Sequence, residues 1–412
     1  MHPFTGLATR EDGAILACCR SQPIGWIQNN SLEEIWNNDA IKNIRHQVLN
    51  NQRPKECNAC FSLEDHGVES LRQRHITNNI PESRINLYPD ALDDLNSNYE
   101  MPFKIPTMEI KLNNLCNLKC RMCHPMDSTS WNDWEEVEEF YAKEGNFMVK
   151  AIRDLNLIRK PYLDKFDNTL NWWTSFEKLL PYFRRVEFAG GEPLMDPQHY
   201  HILDMLKPYG NNIELKYATN GTTLGISKGR NIHNYWKDFK SIAINISIDG
   251  IDDVYNYIRG NGNWDQIVNN IQEFKKIPNI NRIVGAVAVQ ISNILILDEM
   301  IEYFLNDLGI VFYTNLVKYP NVLSIQVLPY DLKKLVIKKL KIVKTRVHKF
   351  KYVKENPILH KITIKQINGI INFIIAEDLN YLWKDCVEFN RRLDKTRNQN
   401  FLNITPEFKN YV

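Results

Sequence analysis

The chain has 412 residues, 43% of them hydrophobic, with a formal net charge of +2. That length supports one large domain with smaller lobes and ample core. So small a net charge excludes wholesale electrostatic attraction to nucleic acid or an anionic membrane. No apolar run approaches the roughly 18 residues that span a bilayer, and the opening Met1-His-Pro-Phe-Thr-Gly-Leu-Ala-Thr-Arg10 lacks a signal-peptide core. The expectation is a cytoplasmic protein. Its eight cysteines are too few to staple a fold of this size, but seven are clustered: Cys18-Cys19, Cys57-x2-Cys60, and Cys116-x3-Cys120-x2-Cys123. Clustered thiols in a reducing compartment point to metal.

Residues 1–80 read as a cysteine-rich metal-binding lobe. Ser31-Leu-Glu-Glu34 is a capping box opening a helix, and Ile35, Trp36, Ile41, Ile44 and Val48 follow at helical spacing. This framework would bring the Cys18-Cys19 pair to the Cys57-x2-Cys60 turn. Residues 81–104, with Pro81, Pro89 and Pro102, read as a linker.

From 105 to 330 the pattern is strand, loop, helix, repeated. Strand-like runs fall at 107–113, 186–189, 213–219, 242–248, 283–291 and 322–328, with helical periodicity between them. Alternation of this kind gives parallel strands with right-handed helical crossovers. The predicted fold is α/β: a partial (β/α)6 TIM-like barrel, with the cysteine-rich lobe before it and a helical extension, 331–412, after it. The first crossover, 124–183, carries Trp131, Trp134, Trp172 and Trp173, which read as packing anchors or as a lid. A helix is expected over 331–354, apolar on one face and lysine-rich on the other. That basic face is a solvated surface or a site for an acidic partner. Cys386, in a helical context, reads as a buried free thiol.

Ligands of such folds gather at the C-terminal strand ends. Three motifs sit there. The thiols of Cys116, Cys120 and Cys123 can hold three corners of a cubane iron–sulfur cluster, leaving one iron open for chemistry. Gly190-Gly191-Glu192-Pro193 permits close backbone approach and supplies a carboxylate, though on its own it is equally a tight turn. Ser247-Ile-Asp-Gly250 ends the fourth strand. The four N-terminal cysteines suit either structural zinc or a second cluster.

In this order the motifs resemble the radical S-adenosylmethionine (SAM) superfamily: the triad after strand one, Gly190-Gly191-Glu192-Pro193 after strand two, Thr219-Asn220-Gly221 after strand three and Ser247 to Arg259 after strand four. Met122 departs from the aromatic residue often found there. The resemblance implies that Cys116, Cys120 and Cys123 hold a 4Fe-4S cluster whose free iron is chelated by SAM. It further implies that Gly190, Gly191 and Glu192 position the SAM amino group, that Ser247 and Arg259 take the carboxylate, and that Asn220 lies near the ribose. Arg suits a carboxylate because its fork binds bidentately.

Cys18-Cys19, the Leu32–Asn37 helix, Pro54-x2-Cys57-x2-Cys60 and Glu64-x2-Gly67-x2-Ser70 resemble the twitch or SPASM-like lobe of radical SAM maturases. In better-known members that lobe follows the barrel, whereas here it precedes it. This implies an auxiliary iron–sulfur cluster drawing on Cys18, Cys19, Cys57 and Cys60, with Cys18 and Cys19 unranked. The implied activity is reductive SAM cleavage to a 5′-deoxyadenosyl radical that abstracts hydrogen from a peptide or protein side chain. An electron donor such as ferredoxin or flavodoxin is the implied partner. Modification of RNA through the basic helix, or a non-catalytic zinc protein, are the alternatives. No catalytic acid or base is evident in the sequence.

Overall fold

A computed structural model describes residues 2–65, 67, 69–76, 90, 92–145, 147–166 and 169–412. Residues 81–89 and 91 of the expected linker therefore lie outside the described residues. Nine strands form one sheet in the order β3-β2-β1-β4-β5-β6-β7-β8-β9. Six of them, β4 (Thr107–Ile110), β5 (Arg185–Phe188), β6 (Glu214–Thr219), β7 (Ser241–Ser247), β8 (Ile280–Val289) and β9 (Val311–Leu316), run parallel to their neighbours. This is the partial barrel.

The N-terminal residues do not stand apart from that sheet. Strand β1 (Gly6–Thr9) pairs in parallel with β4, and β2 (Ala14–Leu16) and β3 (Pro23–Trp26) continue outward antiparallel. The Thr9 hydroxyl donates to the Lys111 carbonyl at 2.9 Å and accepts from its N–H at 2.7 Å, fastening the end of β1 to the end of β4. Helices α1 (Leu32–Trp36), α2 (Asp39–Leu49), α3 (Asn58–Asp65) and α4 (Leu71–Ile76) complete this region. The Ser31 capping box is formed as expected, with Glu34 N–H to Ser31 Oγ at 3.2 Å and Ser31 N–H to Glu34 Oε2 at 2.8 Å.

One strand expectation fails. Residues 322–328 form two short 3-10 turns, Asn321–Leu323 and Ile325–Val327, rather than a sixth barrel strand. Their apolar side chains are fully buried, so apolar alternation there records burial, and the Ser324 hydroxyl caps the second turn by accepting from Gln326 N–H. The true last strand, Val311-Phe-Tyr-Thr-Asn-Leu316, was hidden because the consecutive Tyr313, Thr314 and Asn315 interrupt its apolar pattern.

That alternation runs through the barrel. Val186, Phe188, Leu215 and Tyr217 are buried against helices such as α5 (Leu170–Leu179) and α6 (Pro197–Leu206). The opposite face carries charges closed in pairs: Arg185–Glu214 at 2.8 Å and Lys216–Glu187 at 2.9 Å. Helices α7 (Asp252–Arg259), α8 (Trp264–Lys275) and α9 (Leu297–Tyr303) follow. The C-terminal extension holds α10 (Tyr330–Arg346), α11 (Ile358–Ala376) and α12 (Trp383–Arg397). The helix expected over 331–354 breaks after Arg346 into a turn and a short helix, Lys351–Glu355. No helix among the described residues is long and apolar enough to cross a membrane.

A half-buried glutamate joins the first crossover to the segment after β9. Glu144 Oε1 accepts from Asn321 N–H at 2.7 Å, Oε2 is buried without a partner, and burial pushes the carboxyl up to about 7. A carboxyl raised from 4.5 in this way favours the fold fully below that pH, and the contribution is lost as pH rises through 7. Thermal melts of Glu144→Gln are therefore expected to depend less on pH than wild type between about pH 5 and 8, with the variant gaining at the alkaline end.

Candidate active site

The triad loop leaves β4 at its C-terminal end and is held on three sides. Toward β5, Gly191 N–H donates to the Asn113 carbonyl at 3.3 Å and Glu192 N–H to that of Leu115 at 2.7 Å. Toward α7, Lys119 N–H reaches the Gly260 carbonyl at 3.1 Å and Arg121 N–H that of Ile258 at 2.9 Å. From the first crossover, the Trp131 indole donates to the Cys120 carbonyl at 2.9 Å. Trp131, Trp134 and Trp172 are buried, so three of the four crossover tryptophans are packing anchors.

Both glycines are required by this approach. Gly190 has φ +109°, in the region that side chains disfavour, and a Cβ on Gly191 would stand 2.4 Å from the Leu115 carbonyl oxygen. Gly191→Ala is thus expected to force the triad loop away and to cost about 1–3 kcal/mol in overpacking. Iron content after reconstitution, read beside the melting temperature, checks it.

The three thiols meet different surroundings. Burial pushes Cys116 up to about 12, and its Sγ accepts from Asn220 Nδ2 at 3.7 Å. Cys120, the deepest, is lowered because the Cys123 thiol donates to it, and Cys123 is raised by the same bond. Cys120 Sγ also lies 3.6 Å from the Arg259 carbonyl. Cluster ligation would replace these thiol protons.

The other expected residues converge here. Glu192 is buried and well supplied with donors: Leu194 N–H at 3.0 Å, Thr219 Oγ1 at 2.7 Å and Asn220 N–H at 2.6 Å. It therefore knits the β5 end to the β6 end as well as presenting a carboxylate. The Asn220 side chain is engaged with Asn117, Thr222 and Cys116. Ser247 closes β7. Arg259 pairs with Asp249 at 2.8 Å, yet its Nε is buried without a partner. An orphaned guanidinium N–H beside three thiols is what a carboxylate ligand would satisfy.

The N-terminal cysteines divide. Cys18, Cys57 and Cys60 line one cavity of about 460 Å³, together with His2, His75 and Arg72. Cys19 does not line it; its charged neighbours are Glu109 and Lys111, on the barrel's inner side. Burial raises Cys18, to about 11, and Cys57 as well. Among the described residues no three His, Cys, Asp or Glu side chains close tightly enough for a single ion. What fits both thiol sets to iron–sulfur ligation is their donor chemistry. Cys386 is buried in α12 beside Asn390, as expected for a free thiol.

Residues that sequence reasoning passed over also lie at this rim. Glu11, in the turn after β1, is 6% exposed, and its Oε1 would be 3.5 Å from a Cβ on Gly190. The only signal for it was a carboxylate two residues beyond a short strand. Four of the seven basic residues of α10 are paired within the molecule: Lys333 with Asp378 at 2.8 Å, Lys339 with Asp298 at 3.1 Å, Lys344 with Asn368 at 2.7 Å and Arg346 with Glu302 at 2.5 Å.

The sequence model of the radical SAM superfamily matches residues 110–291, and that of an iron–sulfur cluster-binding domain, SPASM, matches residues 1–61. The chain belongs to the radical SAM superfamily. The first domain implies a 4Fe-4S cluster and SAM, and the SPASM domain an auxiliary iron–sulfur cluster. A GTP 3′,8-cyclase of Nostoc punctiforme is 25% identical over 173 residues, 41% of this chain and 43% of that protein. The chain thus spans about two fifths of the length of the curated relative it matches. A solved structure of TYW1 with a lysine-pyruvate adduct bound is 16% identical, with a TM-score of 0.27, over 58% of this chain and 71% of that one.

Proposed function

We propose that this radical SAM enzyme cleaves SAM reductively and uses the resulting 5′-deoxyadenosyl radical to abstract hydrogen from a peptide or protein side chain. The observation that carries the reading is the convergence of the Cys116–Cys123 loop, the Gly190-Gly191 backbone and the orphaned Arg259 Nε at adjacent strand ends. Cys116, Cys120 and Cys123 would hold the SAM-binding cluster. Glu192 has a lone pair to spare for an amino group, and Arg259 with Ser247 would receive the carboxylate. Asn220, seated against Cys116, fixes the loop beside them. Cys18, Cys57 and Cys60 would hold the auxiliary cluster, leaving Cys19 toward the barrel. When bound, the reduced cluster and SAM supply the one-electron cleavage. The protein's own part is to orient SAM and exclude water. A ferredoxin or flavodoxin would deliver the electron.

The peptide substrate rests on the SPASM-type thiol set, since auxiliary-cluster enzymes commonly modify peptides. The match to a GTP 3′,8-cyclase favours a nucleotide instead, but the internal pairing of three of the six α10 lysines, Lys333, Lys339 and Lys344, halves the basic face an RNA would need. Anaerobic reconstitution with SAM and dithionite should release 5′-deoxyadenosine, with iron and sulfide sufficient for two clusters. Zinc without sulfide, or no 5′-deoxyadenosine from loaded protein, would refute the reading. RNA binding that falls steeply with salt would transfer the substrate assignment to nucleic acid.

A further inference from the structure

We propose that His75 is the fourth ligand of the auxiliary cluster, which would then be held by three thiolates and one imidazole: Cys18, Cys57, Cys60 and His75. The proposal rests on the auxiliary-cluster reading above and completes its ligand set.

The donors come from separate elements. Cys18 lies between β2 and β3, Cys57 closes the turn Lys55–Cys57, Cys60 is in the first turn of α3 and His75 in the last turn of α4. All four line the cavity of about 460 Å³. The Cys18 thiol is influenced by those of Cys57 and Cys60, which marks the three as neighbours across it. Helix α4 is pinned to α3, because Glu64 Oε1 accepts from Arg72 Nε at 3.0 Å and also from the Ser70 hydroxyl. Arg72 stands three residues before His75, on the same helical face, and both line the cavity. The Arg72 guanidinium in turn feels the Cys57 and Cys60 thiols. The face of α4 that carries His75 is thus turned toward the Cys57-x2-Cys60 pair.

A cubane has four corners to fill, and this cavity offers three thiols. Cys19 does not line it. Glu56 does, but a carboxylate suits harder cations, whereas imidazole suits iron. His2 and His75 supply imidazoles there; they are 5% and 6% exposed, with ring centroids 5.9 Å apart. Of the two, His75 is carried by the helix fastened directly to the helix of Cys60. A cavity of about 460 Å³ between these donors has room for a multi-iron group, where a single ion would need them drawn together. Imidazole ligates as the neutral base, so the cluster would carry one negative charge fewer than with four thiolates. Exchanging thiolate for imidazole raises an iron–sulfur potential, as in Rieske centres.

The full chain carrying Cys116→Ala, Cys120→Ala and Cys123→Ala, reconstituted anaerobically so that the N-terminal thiols alone load, tests this. It is made with ordinary and with heavy-nitrogen histidine, reduced with dithionite and examined by electron–nuclear double resonance. A histidine nitrogen strongly coupled to the reduced cluster is expected, its frequency moving with the label. The coupling should vanish in His75→Ala and persist in His2→Ala. His75→Cys should keep iron and sulfide at the parent level, lose the nitrogen signal and show a lower cluster potential. That variant carries the test should His75→Ala fold poorly. A cluster with no coupled nitrogen, a coupling that survives His75→Ala, or one lost in His2→Ala alone overturns the assignment and leaves the auxiliary cluster standing. Absence of iron and sulfide from the parent protein would instead refute the auxiliary-cluster reading, and the proposal with it.

Discussion

Cys120→Ala is expected to reduce 5′-deoxyadenosine formation by more than about a hundredfold, since even outer-shell partners of a metal site are worth 10–100-fold. The thiol is 3% exposed and is the deepest of its loop. Its loss removes one corner of the cluster without removing the loop's backbone anchors, which run through Trp131, Gly260 and Leu115. The variant should therefore fold, keep iron at the N-terminal thiols and lose it at the triad. Mössbauer spectra and iron counts on wild type and variant separate the two centres. Cys386→Ala supplies the contrast: that thiol is as buried, but its hydrogen-bond partner among the described residues is Asn390 of the same helix, so iron and activity should stay at wild-type levels. Equal iron in Cys120→Ala and wild type would remove the triad from consideration.

The second large effect is expected at Arg121, inside the triad loop itself. Its side chain is fully buried and reaches α12: Nη2 to Asp394 at 2.5 Å, Nη1 to Asn390 at 3.1 Å, with Gln399 at 2.9 Å from Nη2. The guanidinium also lies 3.7 Å over the Tyr257 ring. Breaking a buried, hydrogen-bonded ion pair from one side costs about 3–5 kcal/mol, because the partner charge is left uncompensated. Arg121→Met should lose stability on that scale, and Arg121→Met/Asp394→Leu should recover a substantial part of it. Chemical denaturation of the three proteins checks the order. Cluster retention should follow the same order, since the loop that carries the thiols is the one released. If the double variant is no better than the single one, the pair is not what holds the loop.

How much of this was legible follows from what each residue type signals. The triad, the paired glycines and the apolar strands were readable because their chemistry or periodicity is local. The strand Val311–Leu316 was not, since Tyr313, Thr314 and the exposed Asn315 interrupt its apolar pattern, while the buried turns at 321–327 imitate a strand. The joining of β1 to β4 was also invisible, because a four-residue strand with no alternation names no partner. Cys18 and Cys19 could not be ranked by spacing. The backbone separates them, one thiol to the cavity with Cys57 and Cys60 and the other toward Glu109 and Lys111. Glu11 gained meaning only once the fold set it against Gly190, far along the chain.

The contacts of α12 have a consequence for biosynthesis. Arg121 is anchored by Asp394, 273 residues further on, and Arg397 returns to the Lys119 carbonyl and to Asp133. Translation delivers the thiols long before it delivers these anchors. A nascent chain carries the triad on a loop that lacks its last supports, and only synthesis of α12 completes them. Maturation of the metal centre is thereby coupled to the appearance of α12, and chains cut short before it would expose unprotected thiols to oxidation.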